Sequence, residues 1–189
     1  MSDHGFHVHG PHDHELEHAA HGGDSFSSRI AVMTAIMATV GALFGYMGGL
    51  TQADAMIYKN NSAIKKTEAS NQWNYYQAKS NKQNLAELAM ALPGVDVEKY
   101  KSEVQRYKEE KGVIKVDAEK LEAASAEWND KSDARMHEHH RWAQATTALQ
   151  VAIALAAIAL LTRKQWMEYG SYGLSCAGVV LGILAWLHI

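Results

Sequence analysis

The sequence predicts an all-α membrane protein: three transmembrane helices, with a long antiparallel helical hairpin, a coiled-coil stalk, between the first and second. Three observations predict it. Residues 30–50, 143–161 and 169–187 hold no charged side chain. The polar segment between the first two runs keeps a helical three-and-four spacing. That segment has one strong break, Pro93–Gly94.

The chain has 189 residues, 47% hydrophobic, with formal net charge −3. As an average this describes a soluble domain, but the apolar residues are gathered into blocks. The near-neutral charge and the lack of a basic stripe give no case for nucleic-acid binding. The one cysteine, Cys176, forms no internal disulfide and reads as a small hydrophobe in an apolar run.

Residues 1–29 form a polar tail predicted to be disordered without metal. The first span follows at 30–50. A run of about 20 residues, rising ~1.5 Å each as a helix, crosses the ~30 Å hydrocarbon core. Gly41, Gly45 and Gly49 make two GxxxG steps in it. Ala148, Ala152 and Ala156 repeat the spacing in the second span (142–161), and Gly178 with Gly182 in the third (169–187). Such faces let backbones approach closely, within a subunit or between subunits. Trp142, Trp166, Tyr169 and Trp186 flank the spans as interfacial rings. No Asp, Glu, Lys, Arg or His lies inside these three runs, which argues against a proton or ion path within one chain.

The stalk covers 51–141, with its turn at 93–96. Upstream, the seam reads Leu50, Ala53, Ile57, Asn60, Ile64 and onward to Leu85, Leu88 and Leu92; downstream, Val97, Tyr100, Val104, Tyr107 and onward to Ser132, Arg135, His139 and Trp142. Both have heptad spacing, and asparagine weakens the middle of the first. Forty residues per arm at ~1.5 Å each predict a stalk of ~60 Å. The stalk balances fifteen basic against fifteen acidic residues, a solvated exterior.

Its first arm carries "EASNQWNYYQAKSNKQ", three large rings among amides and lysines. Antiparallel pairing sets Trp73 across from about residue 116. The expectation is that Trp73 and Tyr76 pack over a thin part of the second arm at Gly112, Val113 and Val116, with Trp128 a further packing residue. The rival expectation is a ligand or headgroup site built from rings and amides. This stretch, followed by a turn, a charged arm and "ALLTRKQW" between the last two spans, resembles a family of small bacterial membrane proteins known only as a domain of unknown function. The resemblance runs from Arg29 to the C-terminus. It implies this architecture and a bacterial membrane, and supplies no activity, substrate or catalytic residue.

Histidines concentrate in the tail: His4, His7, His9, His12, His14, His18 and His21, interleaved with carboxylates. Imidazole with carboxylate suits Zn²⁺, Cu²⁺ or Ni²⁺, and these are the expected metals, though no cofactor is required. His137, His139 and His140 form a second polar cluster before the second span. One span separates tail and cluster, so they occupy opposite membrane faces and cannot share a metal. The 162–168 loop is short and carries Arg163 and Lys164, which favours a cytoplasmic tail and a periplasmic stalk.

No nucleophile–base pair, phosphate loop or carboxylate pair has a supporting context, so an enzyme is not expected. The expected function is a membrane-anchored structural or interaction protein of a bacterial inner membrane, multi-pass and homo-oligomeric. Its partners are membrane lipid, further copies of itself and an unidentified protein, with no nucleic acid. Two alternatives are metal buffering or sensing through the tail, and a passive channel formed between subunits.

Overall fold

The structure, a computed structural model, describes residues 25–187. The seven tail histidines, His4 to His21, lie outside the described residues, as does His188. Three helices account for the described chain: α1 (Ser25–Ala89), α2 (Val97–Thr162) and α3 (Gln165–Trp186). Among the described residues there is no strand. Each helix contains a window long and apolar enough to cross a membrane, which suggests a multi-pass membrane protein.

The long helices have no proline in their interiors. α1 ends in tightened turns, with Ala91 N–H donating to Leu88 O and Leu92 N–H to Ala89 O. Gly94 then takes φ 81°, a left-handed conformation that favours glycine. Asp96 restarts the chain as a cap: its Oδ1 accepts from Lys99 N–H at 3.1 Å. Between α2 and α3 the link shrinks to Arg163 and Lys164, where a loop of seven residues was expected from sequence. Arg163 makes the reversal at φ 53° and Lys164 is extended.

The helices fold into two compact units. The first takes residues 25–49 and 138–187. Its core joins Ile30 and Met37 of α1 to Ala152, Ala156 and Ala159 of α2. Small side chains line the facing surfaces: Ser171, Ser175, Gly178 and Gly182 are the buried face of α3. Ser171 Oγ donates to Ala152 O at 2.8 Å and ties α3 to α2. Leu149 fills the centre, fully buried, beside Gly41 and Gly178.

The second unit is Leu50–His137. Here α1 and α2 run antiparallel, as their contacts show. Ala55 O accepts from Ser132 Oγ at 2.8 Å, Ser62 Oγ donates to Ser125 O at 2.8 Å, and Lys66 pairs with Glu122 at 3.3 Å. On α2, Val104, Ile114, Ala118, Ser125 and Ser132 of the expected seam are buried, while Val97 is exposed. On α1 the expected seam is not the buried one. Leu50, Ile57, Ile64, Leu85 and Leu88 are exposed, and Ala55, Ser62, Ala69, Gln83 and Ala86 face inward. Small residues win because they bring the backbones close enough for serine hydroxyls to reach carbonyls on the facing helix.

Candidate functional site

The ring-rich stretch of α1 forms a cation–aromatic ladder with α2. Lys79 Nζ pairs with Glu110 Oε2 at 2.5 Å. The same ammonium sits 5.1 Å from the centre of the Tyr75 ring and 5.6 Å from that of Tyr107. Arg106 covers Tyr107 at 5.0 Å, and Lys111 covers Tyr76 at 5.2 Å. Trp73 meets Tyr76 edge-on, with centroids 5.7 Å apart. Lys111 Nζ also donates to Ser80 Oγ at 3.0 Å. Ring faces attract cations, most strongly where water is thinned. Lys79 is the best placed, since its side chain keeps only 15% of its exposure.

This geometry corrects the expected packing. A Cβ on Gly112 would meet nothing within 4 Å, and Val113 and Val116 are exposed. Trp73 and Tyr76 therefore pair with each other and with a lysine rather than covering a thin stretch of α2. The reason is electrostatic: Lys79, Arg106 and Lys111 supply cations within reach of the ring faces. Trp128 does pack across the pair, with its centroid 5.5 Å from Tyr58 and Lys131 over its ring at 4.7 Å.

The ladder carries the clearest electrostatic bias in this unit. The Lys79 hydrogen bond holds the Glu110 carboxyl below its ordinary range, opposed by partial desolvation. Glu110, and then Tyr75, raise Lys79 above the usual lysine value. Both shifts favour the charged pair.

The other predicted residues divide. His139 Nδ1 lies 2.8 Å from Gly48 O, and its ring is 5.8 Å from that of His140. Among the described residues no three His, Cys, Asp or Glu side chains gather as a metal set. His137 is exposed. Gly178 and Gly182 are close-packing positions: a Cβ on Gly178 would lie 3.1 Å from Leu149 Cγ, and one on Gly182 would collide with the Phe44 ring. A Cβ on Gly41 would touch Leu149 at 3.8 Å, while Gly45 and Gly49 have nothing within 4 Å.

Sequence reasoning missed a polar cluster in the first unit. Glu168, in the first turn of α3, is 3% exposed; it lies 3.6 Å from Arg29 and accepts from Tyr172 O–H at 2.7 Å. Its signal was the carboxylate in "KQWMEYG", one residue before the third apolar run. The Lys79 contacts also had a signal: lysine three and four residues after two tyrosines shares their helix face.

Residues 26–188 match the family described as a domain of unknown function (DUF4337). The chain belongs to that family. The match covers all of α1 except Ser25, together with α2 and α3. No curated protein and no solved structure matches the chain. Family membership agrees with the resemblance carried by the ring-rich stretch and the basic link, and names no activity.

Proposed function

We propose that the protein is a membrane-anchored structural and interaction protein. In this reading it is a homo-oligomer of a bacterial inner membrane, with three spans and a helical hairpin in water. Short basic loops favour the cytoplasm, so the link at Arg163 and Lys164 supports a cytoplasmic amino terminus and a periplasmic hairpin. The cation–aromatic ladder braces the hairpin: each cation of the ladder already has a ring, carboxylate or hydroxyl partner within the chain.

One observation carries the assembly. Of the paired small-residue positions, Gly41, Gly178 and Gly182 are taken up by contacts inside the chain, whereas Gly45 and Gly49 are exposed and open. In lipid, helices associate through close packing at such small residues, because burying apolar surface there gains little over lipid tails.

The test is the mass of the full chain in a native-like lipid particle, compared with Gly45→Leu. The expected result is a defined multimer that Gly45→Leu dissociates with the helical content intact. A monomeric wild type, or a variant of unchanged mass, overturns the assembly.

A further inference from the structure

The aliphatic residues that the sequence offers as the hairpin's own seam are turned outward, and they form a second seam. Leu50, Ile57, Ile64, Asn71, Ala78 and Leu85 recur every seven residues along α1, and every one is exposed. Ile57 keeps 57% and Leu85 65% of its exposure. The alternate positions, from Ala53 through Asn60, Asn74 and Asn81 to Leu88, are exposed as well. A seven-residue repeat held this long is the pattern by which two helices supercoil.

We propose that this stripe is where α1 packs, parallel and in register, against α1 of a second copy. This deepens the reading of the protein as a self-assembling membrane scaffold, and rests on it.

Charge selects the occupant. Residues 50–89 contain eight charged side chains, from Asp54 to Glu87, and none falls on the stripe or on its flank at Met56, Ala63, Ser70, Gln77 and Asn84. The outward face of α2 is the opposite, with Lys101, Lys108, Lys115 and Glu119 exposed along it. Setting α1 of one copy against α2 of another would strip water from those charges, whereas α1 against α1 buries an uncharged stripe and leaves Asp54, Glu68 and Lys82 along its other edge, where they stay in water.

The asparagines set register and direction. A carboxamide carries both donors and an acceptor, so an identical side chain satisfies it. In a parallel, in-register pair Asn71 meets Asn71, and Asn74 meets Asn74. A one-heptad shift along the stripe sets Asn71 against Ile64 and Ala78 and leaves its polar groups unpaired. Two copies inserted in one membrane the same way point their α1 helices in the same direction, as this pairing requires.

The test uses the full chain in lipid particles large enough for several copies, with Cys176→Ser as background. Single cysteines are placed on the stripe (Ile57→Cys, Ile64→Cys, Leu85→Cys) and on the outward face of α2 (Lys108→Cys, Lys115→Cys). Dimers formed under copper–phenanthroline oxidation are then counted. A disulfide needs Cβ atoms ~3.5–4.5 Å apart, so stripe cysteines are expected to link roughly tenfold faster than those on α2. Equal rates mean random collision and overturn the seam. A multimer by mass whose stripe cysteines do not link also overturns it, while leaving assembly through Gly45. A monomer by mass removes both. Asn71→Lys, which sets like charges opposite each other across the seam, is expected to slow linkage at Ile64→Cys about threefold or more with helicity unchanged; unchanged linkage overturns the in-register pairing.

Discussion

The two units solve the same packing problem with different surroundings. In the first, Ser171 reaches Ala152 O, and Leu149 is enclosed beside Gly41 and Gly178. In the second, Ser62 and Ser125 each donate to the other's carbonyl, at 2.8 and 2.9 Å, and Ser132 reaches Ala55 O. Both bring helices close with small side chains and serine–backbone bonds. They differ in what surrounds those bonds. The first unit adds glycines against alkyl and aromatic groups and the Arg29–Glu168 pair; the second adds several ion pairs and cation–ring contacts. Small residues serve close approach in both units, and the chemistry around them is apolar in the first and charged in the second.

The sharpest break in this comparison is at glycine. Gly178→Val should overpack the first unit, since even a Cβ would lie 3.1 Å from Leu149 and 3.2 Å from Ala148. Forced side-chain shifts of this kind cost ~1–3 kcal/mol. Thermal unfolding in lipid particles measures it, and an unchanged midpoint would show that the unit has slack.

Next in size is the serine pair. Ser62→Ala removes a donor from a buried site where Ser125 also donates back. A net hydrogen bond is worth about 0.5–1.5 kcal/mol, and Ser62→Ala should lose that much. Ser62→Ala with Ser125→Ala should lose less than the sum of the single losses, because the two hydroxyls also face each other at 3.1 Å. Additive losses would mean that the hydroxyls act separately.

Gly112 gives the opposite sign to Gly178. It lies within α2, and an added Cβ meets nothing within 4 Å. Gly112→Ala should therefore stabilise by about 0.5–1 kcal/mol through helix propensity alone. Destabilisation would show a contact on that face, such as one from another copy.

Much of this architecture is legible in the sequence. Uninterrupted apolar runs and the Pro93–Gly94 break announce three helices and their reversal. The seam of α2 is legible because Val104, Ile114 and Ala118 are both apolar and buried. The seam of α1 is not, because periodicity finds the most apolar stripe. There the most apolar stripe faces out, and Ala55, Ser62 and Ala69 face in. The ladder is half legible. Tyr75, Tyr76 and Lys79 share a face by spacing, but Arg106, Tyr107, Glu110 and Lys111 come from the other helix, and only the antiparallel register brings them in. Arg29 and Glu168 are far apart in sequence and meet only once the short link has set α3 in place.

The smallest effect separates the units by pH. Glu110 titrates below its ordinary range in the folded chain, so its stabilisation is present above the unfolded carboxyl value and is lost as pH falls through the lowered one. Lys79 is raised, so its share is present below the ordinary lysine value and is lost as pH rises through the raised one. Between those limits the ladder is fully charged and stability from this pair is flat with pH. Glu110→Gln should lower the unfolding midpoint modestly across that plateau, and the gap to wild type should close in acid. High salt should narrow the gap only in part, because the Lys79 side chain is mostly covered. A gap that persists unchanged into acid would mean that Glu110 acts through packing, and the ladder would then be held by its rings alone.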